Sequence, residues 1–392
     1  METDVKQNLL TLKGFYLFAF LGFGGLFPLL SVYLSETVGL NGYQIGTIMS
    51  IGPIIMIFFQ PLWGFVSDLT SSPIKILTIT TFFTGLSALG YVFFDTYYLL
   101  LMTAILIAIF QSAIIPVSDS LSLKYTSKVK YNYGNVRLFG SLGFGIAVFV
   151  MGRLSEKHPD YIFYSFLIFL TVASMIAFKI PKEKTTAPKN LLGGVKEILT
   201  YKKFIIFLAI TFLIFGPNLA NNTYFGLFVE DSGGTYTGIG IAFLVAVLSE
   251  VPFMRVAGGW INRLGLLQVA TIAGVVSLVR WIFYFTEPSL TLIYATAVMQ
   301  GFSIGLFIPA GLQYIRDIAP VHIVATAITL YSAIGNGFGN WFCTFAGGII
   351  YEEYSIYGVY LFFALLSLIG VFLNIWLIKE EKGSSAVQHA VS

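Results

Sequence analysis

The chain has 392 residues, 57% of them hydrophobic and only 10% charged, with a net charge of +3. Soluble domains carry about 25% charged residues, so this composition excludes an ordinary water-soluble domain. The small net charge by itself says little about partners, and no nucleic-acid partner is expected. The single cysteine, Cys343, excludes an internal disulfide and a cysteine-based metal cluster. His158, His322 and His389 lie outside the deep apolar runs, and their spacing makes no metal site. Neither a cofactor nor a metal is expected.

Twelve apolar spans follow one another along the chain, at 12–35, 43–67, 74–94, 97–125, 133–154, 160–180, 203–229, 236–261, 265–286, 289–315, 322–349 and 356–378. Each is long enough to cross a hydrocarbon core of about 30 Å. A chain in lipid must satisfy its backbone polar groups internally, so these spans are helices. The expected fold is an all-α membrane protein of twelve transmembrane helices in two six-helix pseudo-repeats. The start, "METDVKQNLLTLK", has no small-residue cleavage site, so the first span is read as retained.

Lysine and arginine set the orientation. One side gathers Lys6, Lys13, Lys75, Lys124, Lys128, Lys130, Arg263, Arg316, Lys379 and Lys382, and the lysines in or beside 181–202. The other side has Arg153 and Lys157 among many acids, including Glu36, Asp95, Glu230 and Glu287. Both termini and the linker are expected in the cytoplasm, with the protein in the cytoplasmic (inner) membrane.

The expected division is a bundle over 1–180, a cytoplasmic linker over 181–202, a second bundle over 203–380 and a tail over 381–392. Gly46, Gly64 and Asp68 recur as Gly240, Gly258 and Asn262 at an offset of 194 residues. Ile115-Pro116 recurs as Ile308-Pro309 at an offset of 193. Parallel six-helix repeats are a transporter arrangement, with the solute site expected near the midplane between them.

Ionisable groups inside the spans are costly in lipid and need partners. Asp119 lies about six residues from the end of the fourth span, and Arg137 about four from the start of the fifth. At about 1.5 Å per residue, the two stand at similar depth and can pair. Glu250 is mid-span in the eighth helix, and Arg280 lies deep in the ninth. They form a second candidate pair. A purely structural ion pair is the plainer reading of each. With no interior histidine, a transported proton must ride on a carboxylate, and Asp119 and Glu250 are the candidates. Asn218 and Asn221 share one helical face, as do Asn336 and Asn340. Such amides suit solute hydroxyls or bonds between helices.

These features resemble the major facilitator superfamily. Gly64, Asp68 and Lys75 resemble its loop between the second and third helices, in which an acid follows a glycine by four residues and basic residues come after. "YGNVRLFGSLGFG" is similar to the arginine-led fifth helix of the proton-coupled sugar permease and phenylpropionate permease group, and Asp119 stands eighteen residues before Arg137, as in that group. "INRLG" with Arg280 resembles the stretch leading to the group's ninth-helix arginine. The positions of the group's tenth-helix histidine and glutamate hold Gln300 and Ser303. The usual proton relay is therefore absent as written.

The resemblance implies a secondary active transporter working by alternating access, not an enzyme. Symport of a sugar or nucleoside with protons is the main expectation, and uptake of an aromatic carboxylate or proton-coupled drug export the alternatives. It implies Asp119 and Arg137 as solute-binding residues, to which the reading of shared helix faces and amides adds Phe144, Asn221, Asn336 and Asn340 as candidates. Glu250, Arg280 and Asp119 are the implied coupling residues, and Gly64, Asp68 and Lys75 the gating loop. The expected partners are a small solute, protons and the lipid bilayer, with the protein a monomer.

Overall fold

The computed structural model describes residues 2–181 and 191–391; the side chains of 2–3, Asp68, 191–194, Ala325 and 383–391 lie outside the description. Helix dominates, and no strand occurs among the described residues. In chain order come α1 (Glu2–Val32), α2 (Gly42–Thr70), α3 (Pro73–Ser87), the single turn α4 (Gly90–Phe93), α5 (Tyr97–Lys128), α6 (Gly134–Ser155) and α7 (Tyr161–Ala177). After the short helix α8 (Leu191–Ile198) come α9 (Lys202–Asp231), α10 (Tyr236–Leu264), α11 (Leu266–Phe285), α12 (Leu290–Thr296) and α13 (Val298–Ile318). The last are α14 (Val324–Ser332), α15 (Asn340–Glu353) and α16 (Ile356–Val391). Residues 182–190 of the expected linker lie outside the described residues.

Among the described residues ten helical segments are long and apolar enough to cross a membrane, and Tyr161–Ala177 is a shorter apolar helix. The remaining expected span is not one continuous α-helix. A π-helical segment, Ala333–Gly339, joins α14 to α15. Its sequence, AIGNGFG, is glycine-rich, and glycine weakens α-helical preference. A second π-helix, Tyr33–Thr37, ends the first span. Prolines occupy helix interiors at Pro28, Pro53, Pro61, Pro116, Pro217, Pro252 and Pro309. Neighbouring helices and hydroxyl side chains make such breaks tolerable in lipid.

The chain forms two compact units, Met1–Pro188 with Thr223–Leu244, and Lys189–Asn222 with Val245–Ser392. In the first unit α1 packs on α6 and α7, α2 on α5, and α3 on α5 and α7. Lipid tails are as apolar as leucine, so close packing rather than hydrophobic burial drives such contacts. Gly152 and Gly240 illustrate it. A Cβ on Gly152 would stand 2.6 Å from the Tyr236 carbonyl oxygen, and one on Gly240 2.6 Å from that of Val148. Only glycine allows α6 and the start of α10 to touch backbone to backbone.

In the second unit α11 packs on α13 and α16, and α14 on α8 and α13. Its aromatic core centres on Phe207, whose ring lies 4.6 Å from that of Tyr314 and 6.5 Å from that of Phe307. A Cβ on Gly301 would overlap Ser249, and one on Gly305 would stand 3.0 Å from the Glu250 carbonyl oxygen. This small-residue pair, four apart on one face, seats α13 directly on α10.

Candidate functional site

In the first unit, Asp119 follows Pro116 on α5, and Arg137 lies in the first turn of α6. The structure brings them together, with Arg137 Nε 3.9 Å from Asp119 Oδ1. That distance allows charge attraction but exceeds a hydrogen bond. The tighter partner of Asp119 comes from α1: the Tyr16 hydroxyl donates to Oδ1 at 2.5 Å. The guanidinium of Arg137 instead lies over rings, 4.3 Å from the centroid of Phe20 and 5.3 Å from that of Tyr16. Such cation–π placement suits arginine, whose delocalised charge is weakly hydrated.

Gly140 makes room for this pose. A Cβ there would stand 2.7 Å from Arg137 Nη1. The side chains of Arg137 and Asp119 are 31% and 29% exposed, so both remain open to a ligand. Arginine offers five donors and a carboxylate about four acceptor sites, and Tyr16 uses few of the latter. The site can therefore give and take hydrogen bonds with neighbouring hydroxyls. Phe144, from the same sequence motif, is half-buried on α6.

In the second unit, Arg280 on α11 is fully buried. Its partners are neutral. Nη2 donates to Asn218 Oδ1 at 2.9 Å, Nη1 to Gln300 Oε1 at 3.4 Å, and the guanidinium lies 4.0 Å from the Trp281 ring centroid. The expected Glu250–Arg280 ion pair is not formed. Among the described residues no carboxylate pairs with Arg280, and its Nε has no hydrogen-bond partner. Gly301 and Gly305 fix where α10 runs against α13, and in that register the amides take the arginine. Glu250 is half-buried on α10.

These contacts belong to a chain of amides. Tyr360 donates to Asn221 Oδ1 at 3.1 Å, Asn221 Nδ2 to Gln300 Oε1 at 2.9 Å, and Gln300 Nε2 to Asn222 Oδ1 at 3.0 Å. Asn218 Nδ2 donates to Ser277 Oγ at 2.9 Å. Each bond fixes the orientation of the next amide. Gln300, at the position of the group's histidine, thus holds three helices together.

Asn336 is exposed within the π-helical segment, while Asn340 accepts from the Thr344 hydroxyl at 3.2 Å. Gly64 has open space around it, and Lys75 is exposed on α3. Asp68 belongs to α2, but its side chain lies outside the described residues.

Sequence reasoning missed Tyr16 and Phe20. Tyr16 stands four residues into the first expected span, as Arg137 does in the fifth, but depth alone names no partner for it. Phe20 follows one turn later on the same face.

A bundle of apolar helices carrying two inward polar clusters defines a polytopic membrane transporter. The chain belongs to the MFS_1 like family, whose model matches residues 9–375. It is 52% identical over 381 residues to the uncharacterized transporter YwbF of Bacillus subtilis (strain 168), covering 97% of this chain and 96% of that one. It is 44% identical over 371 residues to a maltose permease of Geobacillus stearothermophilus, covering 94% of each. Its fold matches the crystal structure of the nucleoside transporter NupG with a TM-score of 0.83 at 18% identity, covering 95% of this chain and 99% of that one.

Proposed function

We propose that the protein is a proton-coupled symporter of a small hydroxylated solute, with maltose the first solute to test. The observation that carries this reading is the Asp119–Arg137 pair. A charged acceptor and a charged donor lie side by side, each about a third exposed. Charge-assisted bonds to adjacent hydroxyls suit a sugar. The 44% identity to a maltose permease supports the same solute class.

On this reading Asp119 and Arg137 grip the solute, helped by Phe144, Asn221, Asn336 and Asn340. Asp119 and Glu250 carry the proton. Arg280 is held in place by amides rather than by an acid. Gly64, Asp68 and Lys75 form the gating loop. The protein works as a monomer in the cytoplasmic membrane, with both termini and the 181–202 linker in the cytoplasm. The two bundles are 1–180 and 203–380, followed by a tail over 381–392.

Uptake of labelled maltose into proteoliposomes under an imposed pH gradient tests the reading. Saturable uptake that an uncoupler abolishes is expected. Uptake indifferent to the uncoupler removes the proton. Displacement by nucleosides or aromatic acids, but not by sugars, replaces the solute class. Unchanged uptake in both Asp119→Asn and Glu250→Gln overturns the residue roles.

A further inference from the structure

The start of α1 and the end of α7 line an open surface recess of about 440 Å³. Two ammonium groups line it, those of Lys6 and Lys179. Neither has a carboxylate partner among the described residues, and no acidic side chain lines the recess. Gln7 adds an amide to the lining, while the Thr11 hydroxyl is already donated to the Gln7 carbonyl at 3.0 Å. Donors thus outnumber acceptors, and two like charges share one recess. An anion relieves their repulsion.

The rest of the lining is apolar, with Leu10 and Ile176 beside the lysines. Leu10 is 61% exposed, and Met175 and Phe178, close to Ile176 in sequence, are 62% and 67% exposed. Leu10 lies in a helical segment long and apolar enough to cross a membrane, and Met175 in the shorter apolar helix α7, so their exposed faces suit acyl chains. A free phosphate would use the cations alone. A molecule with a phosphate and acyl chains uses both surfaces. Basic pockets between helices at a membrane face bind anionic lipid headgroups for this reason.

We propose that this recess binds an anionic phospholipid, with its phosphate between Lys6 and Lys179 and an acyl chain along Leu10, Met175 and Phe178. The site is independent of the transported solute. It ties α1 to α7 through a component of the membrane itself.

Native mass spectrometry and thermal unfolding of the full-length, delipidated protein test this. Phosphatidylglycerol, phosphatidylcholine and inorganic phosphate are the probes. Phosphatidylglycerol is expected to be retained and to raise the unfolding midpoint, with little response to the other two. Lys6→Gln with Lys179→Gln is expected to weaken phosphatidylglycerol retention by roughly 30-fold, since each of the two lysines near a lipid surface contributes about 1 kcal/mol. Lys6→Arg with Lys179→Arg, which keeps both charges, is expected to preserve the preference and so separates charge from folding. Equal responses to the two lipids, or full retention in the glutamine variant, overturn the site. A response to inorganic phosphate equal to that to phosphatidylglycerol overturns the assignment to lipid.

Discussion

The Tyr16 hydroxyl donates to Asp119 Oδ1 across 103 residues of sequence, and so fixes the carboxylate that faces Arg137. A hydrogen bond to a charged group contributes about 1.5–3 kcal/mol. Asp119→Asn and Arg137→Leu should each lower uptake efficiency by roughly 10- to 100-fold. Tyr16→Phe leaves the charges in place but frees the carboxylate. It should raise KM more than it lowers the maximal rate. A Tyr16→Phe variant with wild-type KM would remove Tyr16 from the positioning role.

Gly140 bears on the same site from the other side. A side chain there meets Arg137 Nη1, the far end of a flexible chain. Gly140→Val should therefore redirect the guanidinium away from Phe20 and depress uptake. Stability should change by under about 1.5 kcal/mol, because the arginine can move without disturbing the core. Uptake and thermal unfolding measured on the same preparation check both halves of this expectation.

Gln300 joins Asn221, Asn222 and Arg280. Gln300→Leu strips all three of a partner and leaves a buried cation poorly served. The expected loss is about 2–5 kcal/mol, read as a lower unfolding midpoint. Gln300→Glu restores acceptors for Arg280 and Asn221 and adds an opposite charge. It should unfold at a higher temperature than the leucine variant. The reverse order would show that the amide chain does not stabilise the unit.

Gly152 and Gly240 allow α6 and α10 to meet at backbone distance. Rigid backbone cannot yield as a side-chain tip can. Gly152→Leu should cost about 1–3 kcal/mol or more, whereas the same change at Gly64, where nothing lies near, should be mild. Thermal unfolding of the two variants side by side measures the contrast.

Glu156, just beyond α6, accepts the Thr237 backbone N–H at 3.1 Å. Bonds from the Thr235 and Thr237 side chains hold its carboxyl below the usual value of 4.5. A depressed acid stabilises the fold above its unfolded pKa, and that contribution is lost as pH falls through the folded pKa. Below about pH 4.5 the wild type should thus lose stability that Glu156→Gln has already forgone. Parallel pH–stability profiles down to the folded pKa would count against the contact.

Much of this protein was legible in its sequence because lipid imposes a harsh local rule. Every spanning backbone must bond to itself, so apolar runs identify helices. Asp119 and Arg137 could be matched by counting residues from the ends of adjacent antiparallel helices. The glycine-rich stretch around Asn336 was read as plain helix. Hydropathy carries no signal for the extra residue per turn that makes it π-helical.

Partner choice was not local. Arg280 and Glu250 stand on consecutive helices, and counting alone makes them a pair. The structure gives Arg280 to Asn218 and Gln300 instead. Tyr16 meets Asp119 although no pattern links the first span to the fourth. The sequence by itself determined which segments are helices and where along each helix its charges lie. Only the tertiary structure decided which side chains meet. Depth is set along a helix by its own residues, whereas rotation about the axis is set by packing against neighbours, at contacts such as Gly301 on α10. The arginine after "NV" was thus foreseeable as an inward charge; the tyrosine and the phenylalanine that hold its site in place were not.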